Sequence, residues 1–206
     1  TATLWLLATS CTAPAIAAPE PTPPVHDHAA MLAAQADRAL DALPGTSVHL
    51  LPVRLEEAGH PPYALHDLAG KPVVVTLFYS SCRSVCPVLT FAMRRLEASL
   101  PAAKRDQVTF LMVSLDSERD TPAVLSAFAA EHQLSASHWH IAHTDAEGVR
   151  LLSAALGIRY RRLEDGSFNH SSVLTLLTPD GTPLLRSDKI AEMDPLLRDA
   201  LLAQLH

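Results

Sequence analysis

Residues 72–87 read PVVVTLFYSSCRSVCP, and this stretch decides how the chain folds. Its first eight residues form a continuous β-branched and aromatic run, the pattern of a strand buried on both faces. The run ends in SSCRSVC, and Pro87 then suits the first turn of a helix, where its missing N–H has no partner to lose. Leu89, Ala92, Met93, Leu96 and Leu100 follow at helical spacing and place one apolar face inward. A buried strand therefore runs directly into a helix, with Cys82 and Cys86 at the junction.

Downstream the alternation continues. Residues 107–115 are strand-like, Thr121-Pro122 opens a helix that buries Leu125 and Phe128, and 138–142 form a short strand. Asp145 caps a helix holding Val149, Leu152 and Leu156. SSVLTLLT at 171–178 is a strand, Pro179-Asp180-Gly181 a turn, and 182–186 an antiparallel return. Asp194-Pro195 starts the last helix, and upstream residues 47–55 alternate well enough for a strand. This order predicts an α/β fold for residues 47–206: a thioredoxin-like sandwich with a central mixed sheet flanked by helices.

Residues 19–46 read as a Pro-rich linker followed by an N-terminal helical arm over 28–43, stopped by Pro44-Gly45. Residues 1–18 resemble the apolar stretch and cleavage region of a secretory signal. Ala15-Ile16-Ala17 offers a cut before Ala18, and Ala8-Thr9-Ser10-Cys11 loosely matches a lipoprotein box with Cys11 as the lipidated residue. Both readings predict export to the periplasm or the outer face of the cytoplasmic membrane. Sixteen Lys+Arg against 22 Asp+Glu give a net charge of -6, which argues against a nucleic-acid binder. Three cysteines are too few for a disulfide scaffold, so their placement decides their meaning.

A helix N-terminus favours thiolate, the form that attacks disulfides and binds metals. The C-x-x-x-C spacing of Cys82 and Cys86 makes a wider bite than C-x-x-C, with room for an ion; the bland alternative is a quiet disulfide. Two soft sulfurs suit copper(I), and an imidazole would complete a three-coordinate set. His170, in FNHSS just before the late strand, stands where redox thioredoxins usually carry a proline, facing the cysteine loop.

KPVVVTLFYSSCRSVCP, VSLDSERDTP, NHSS and the PDG turn together resemble the Sco (SenC) family of copper proteins, over most of the chain from Val48 onward. The resemblance implies a thioredoxin-like fold and copper held by Cys82, Cys86 and His170, as copper(I) and in some states copper(II). It implies delivery to the dinuclear copper site of cytochrome c oxidase, the partner being an oxidase subunit or another copper carrier. The competing reading is a thiol–disulfide oxidoreductase, with Cys82 and Cys86 as attacking and resolving thiols. A peroxidase is disfavoured, because no Thr-x-x-Cys precedes Cys82. The chain departs from the family at Ser117, where Pro is common, and at Asn169, where Asp is frequent.

Asp116 reads equally as a carboxylate near the site and as loop chemistry, whereas Asp120 and Thr121 read as residues that start the next helix. His26-Asp27-His28 reads as an incidental solvated run in the linker. His138 and His140 read as edge polar residues with Trp139 in the core, and Arg159, Arg161 and Arg162 as a solvated hairpin edge around Tyr160. Met31, Met93, Met112 and Met193 are too scattered for a methionine copper-carrier sequence. The fold is expected to be monomeric, with membrane association through the lipid or an N-terminal anchor.

Overall fold

The computed structural model describes residues 43–82 and 86–206, the side chain of Cys86 excepted. The leader, Cys11, the linker, the helical arm over 28–43 apart from its last residue, and His26 and His28 all lie outside the described residues.

The strands are β1 (Arg54–Leu55), β2 (Tyr63–Ala64), β3 (Val73–Phe78), β4 (Thr109–Ser114), β5 (Trp139–Ala142), β6 (Tyr160–Arg162), β7 (Phe168–His170), β8 (Leu174–Leu177) and β9 (Pro183–Ser187). The α-helices are α1 (Cys86–Ser99), α2 (Pro122–Glu131), α3 (Ala146–Ala155) and α4 (Pro195–Leu202). A five-stranded sheet runs β5-β4-β3-β8-β9, and β1-β2 and β6-β7 form separate two-stranded ribbons. β3 pairs in parallel with β4, and β4 with β5, while β8 is antiparallel to both β3 and β9. This is the mixed, helix-flanked sheet expected of a thioredoxin-like sandwich.

Every residue of β3 is buried, and the two-residue period of the strand divides them between two cores. Val74 and Phe78 pack on one face with Leu89 and Met93 of α1, Leu125 of α2 and Leu197 of α4. Val73, Val75 and Leu77 pack on the other with Val149 and Leu152 of α3 and Val48 and Leu65 from the N-terminal segment. Thr76 is the polar member of the strand, and its hydroxyl donates to the Val173 carbonyl at 2.8 Å. Because β3 and β4 run parallel, the loops that follow them leave the same end of the sheet. The site lies there.

Two expectations are corrected. Residues 47–55 are not one strand: a 3-10 turn over Val48–Leu50 precedes the two-residue β1. Ser47 Oγ accepts the His49 amide at 3.1 Å and closes the turn, and Pro52 lacks the N–H a continuing ladder would need. The turn packs on Gly181, whose φ of 82° and close approach to the His49 ring both require glycine. His138 is not an edge polar group. It is buried, with Nε2 2.6 Å from Glu97 Oε1, because Glu97 of α1 reaches across to bond both His138 and, at 3.1 Å, the indole N–H of Trp139. Trp139 itself is core, stacked on Phe110 at 4.9 Å between centroids.

Candidate metal centre

Beyond Phe78 the chain turns sharply: the Tyr79 carbonyl accepts the Cys82 amide at 3.2 Å. This turn buries Cys82 in the same core as Tyr79 and Leu89. Helix α1 opens at Cys86, so the second cysteine's backbone lies in the first turn, where unpaired amides create a positive field that favours thiolate.

His170 ends β7 and is half-buried. Its ring meets Tyr79 edge-on at 6.0 Å, and Tyr79 also packs on Phe168 at 5.3 Å. The hairpin β6-β7 is thus seated on the residue three before Cys82. Nδ1 of His170 lies 3.1 Å from the Ser171 carbonyl. A carbonyl can accept but not donate, so this bond fixes the proton on Nδ1 and leaves the Nε2 lone pair available. Burial lowers the imidazole below its ordinary range, only partly countered by the Ser171 bond, and favours the neutral form a metal requires.

The loop between β4 and α2 braces both halves of this arrangement. Asp120 is buried, and its carboxylate accepts the Ser80 amide at 2.8 Å, the Ser114 hydroxyl at 2.5 Å and the Ser80 hydroxyl. It therefore fastens the ends of β3 and β4 two residues before Cys82. Its backbone carbonyl faces His143 Nδ1 at 3.0 Å, which ties in the end of β5. Asp116, also buried, accepts the Arg119 amide at 3.2 Å and pairs with the Arg119 guanidinium. The guanidinium in turn donates to the Gly166 carbonyl, in the turn of the hairpin that carries His170.

Asp116 acts on the His170 hairpin through Arg119. Thr121 is the N-cap of α2, accepting the Val124 amide, as its place before Pro122 predicts. Asp120 corrects the sequence reading: its side chain serves the cysteine loop, not the helix start. No local sign of this stands in the sequence, because Ser80, two residues past β3, and Ser114, at the end of β4, meet Asp120 only in the folded chain. His140 faces Glu57, 2.8 Å away, and stays apart from this site. Among the described residues no three His, Cys, Asp or Glu side chains form a metal-holding group; the side chain of Cys86 lies outside that set.

The SCO1/SenC family model matches residues 56–200. A Stutzerimonas stutzeri protein provisionally named as copper-binding is 28% identical over 184 residues, covering 87% of this chain and 82% of its own. The copper-bound structure of Bradyrhizobium japonicum ScoI aligns with a TM-score of 0.63 at 20% identity, over 75% of this chain and 98% of that one. BsSco, described as having a disulfide switch and as a member of the Sco family of cytochrome c oxidase assembly proteins, aligns with a TM-score of 0.64 at 22% identity, over 76% and 92%. With the C-x-x-x-C-P junction, the thioredoxin-like sheet and the late histidine in place, the chain belongs to the SCO1/SenC family.

Proposed function

We propose that this protein binds copper through Cys82, Cys86 and His170 and delivers it to the dinuclear copper site of cytochrome c oxidase during assembly. The observation that carries the reading is His170: its Nδ1 proton is committed to Ser171, so a neutral Nε2 is offered beside the turn that bears Cys82. Family membership and the copper held by the B. japonicum relative support copper as the metal. Two thiolates suit copper(I), and the harder imidazole extends the site to copper(II). Asp116 positions the hairpin that bears the imidazole. The protein works outside the cytoplasm, carried there by the leader and either anchored through Cys11 or released by cleavage before Ala18, with residues 47–206 as the copper-binding domain.

Titration of reduced and oxidised protein against a copper(I) competitor of known affinity tests the site. The reduced form takes up a single copper(I) ion, and the Cys82–Cys86 disulfide form takes up none, because ligation requires thiolates. Equal uptake by the oxidised form refutes the ligand set. His170→Ala lowers copper(II) affinity by at least about 10–100-fold, the cost of losing even a supporting contact, and copper(I) affinity by much less. Oxidase assembly that survives His170→Ala but fails with Cys82→Ser transfers the function to thiol–disulfide exchange.

A further inference from the structure

Beside His170 the hairpin forms an open concavity of about 330 Å³, lined by Arg159, Tyr160, Arg161, Asn169, His170 and Ser171. The strand register places Tyr160 directly opposite His170, and Arg161 opposite Asn169. Arg159 and Arg161 differ from the rest of their kind. Every other arginine among the described residues, that is 54, 94, 95, 105, 119, 150, 162, 186 and 198, donates to a carbonyl or a carboxylate. The guanidinium groups of Arg159 and Arg161 have no such partner among the described residues, and both are exposed. Of the carboxylates near the hairpin, Glu118 pairs with Arg162 at 2.8 Å and Asp165 accepts the hydroxyl and amide of Ser167, while the exposed Glu164 in the hairpin turn pairs with neither Arg159 nor Arg161.

A chain of net charge -6 thus keeps two unspent cations on the thin ribbon that carries its histidine, based on the face opposite the imidazole but bordering the same open concavity. Copper passes between proteins only if the two surfaces meet at the metal, and a partner that reaches His170 also meets the concavity that Arg159 and Arg161 border. We propose that Arg159 and Arg161 form the docking edge for an acidic segment of the copper-receiving protein, whose carboxylates flank its own metal-binding cysteines; this rests on the copper site read above. Guanidinium groups suit the task because they bind carboxylates in a two-pronged geometry. A local positive rim also overcomes the repulsion that an acidic partner would meet from the rest of this chain and speeds encounter more than it tightens the final complex.

The test uses a synthetic C-x-x-x-C peptide flanked by Asp and Glu, and a control peptide with Asn and Gln flanks. Association with metal-free full-length protein is followed by fluorescence anisotropy, and copper(I) transfer from loaded protein is followed separately. The acidic peptide associates about tenfold faster than the control at low ionic strength, and the advantage shrinks toward 0.15 M salt, where charges are screened over about 8 Å. R159E/R161E abolishes the advantage and R159Q/R161Q halves it or more. K71E/K104E, with the same change in net charge at the opposite end of the sheet, retains most of it. Equal rates for both peptides, or an advantage that survives R159E/R161E, overturn the proposal. So does cosedimentation with phosphatidylglycerol vesicles that R159E/R161E abolishes while peptide rates stay equal, which assigns the edge to lipid. An acidic-peptide advantage in a protein that takes up no copper upholds the edge and refutes the copper reading.

Discussion

Replacing Asp120 tests whether the loop after β4 holds the cysteine turn. In Asp120→Ala three donors lose their acceptor at once: the Ser80 amide, 2.8 Å away, the Ser114 hydroxyl, 2.5 Å away, and the Ser80 hydroxyl. Hydrogen bonds to a charged acceptor contribute about 1.5–3 kcal/mol each, and an orphaned buried donor costs about 1–3 kcal/mol. The two hydroxyls can rotate toward other acceptors, but the Ser80 amide cannot, because β3 has ended. The expected loss for Ala is therefore about 3–5 kcal/mol, a large part of the roughly 5–15 kcal/mol that holds a domain together. Asp120→Asn keeps an oxygen for the Ser80 amide and the Ser114 hydroxyl and turns its NH2 toward the Ser80 hydroxyl, which can accept, so it should lose about 1–2 kcal/mol.

Urea denaturation gives the two losses, and amide exchange at Ser80 and Cys82 locates them. Both variants should exchange faster at these two amides than in the centre of β4. In the folded Asn variant, copper(I) affinity should fall by about 10–100-fold, as for other contacts that orient a metal ligand. A loss below about 0.5 kcal/mol for Ala, the range of ordinary surface substitutions, would refute the brace. Unchanged Ser80 exchange would refute it as well.

Arg119→Ala leaves Asp116 buried without its guanidinium and frees the Gly166 carbonyl; stability should drop by about 1–3 kcal/mol, with faster amide exchange across the Tyr160–His170 ladder and little change in β3. Burial lowers the His49 imidazole from 6.5, outweighing the attraction of Asp180, so the unfolded chain takes up that proton first. Stability should accordingly fall as pH drops below about 6.5, and His49→Leu should show a shallower fall between pH 7.5 and 5.5 in urea titrations; a slope identical to wild type would clear His49 of the effect.

The alternation of strands and helices was legible because each core element buries a regular face. β3 and β4 are buried at every position and mostly apolar, and Thr121, Asp145 and Asp194 announce their helices as N-caps. Legibility failed where burial and periodicity part. The 47–55 segment is apolar enough for a strand, but Pro52 and the Ser47 turn break its ladder. The hairpin β6-β7 is three residues a side with β6 wholly exposed, so its pattern indicates an edge and nothing of where that edge docks. The cysteines stand out as candidates from their junction and His170 from its place before the late strand. Asp120 does not, since an acidic residue before Thr-Pro looks like helix capping until the folded chain brings Ser80 and Ser114 against it.

The proposed ligands come from elements with unequal means of support. Cys82 follows a strand locked between two hydrophobic cores, and its turn inherits that rigidity. His170 belongs to a ribbon outside the main sheet, whose apolar purchase is chiefly Phe168 on Tyr79. Exposed ion pairs such as Arg162–Glu118 contribute little to holding such a ribbon, typically 0–1 kcal/mol. A buried carboxylate is different, because removing its partner strands a charge in a dry place. Asp116 is such a group, and the guanidinium of Arg119 that satisfies it also donates to the Gly166 carbonyl. One guanidinium thus links a buried aspartate to the hairpin, while Asp120, four residues on, braces the cysteine turn. A loop of polar residues thereby sets the distance between a rigid sulfur and a less rigid nitrogen, which apolar packing alone would leave loose.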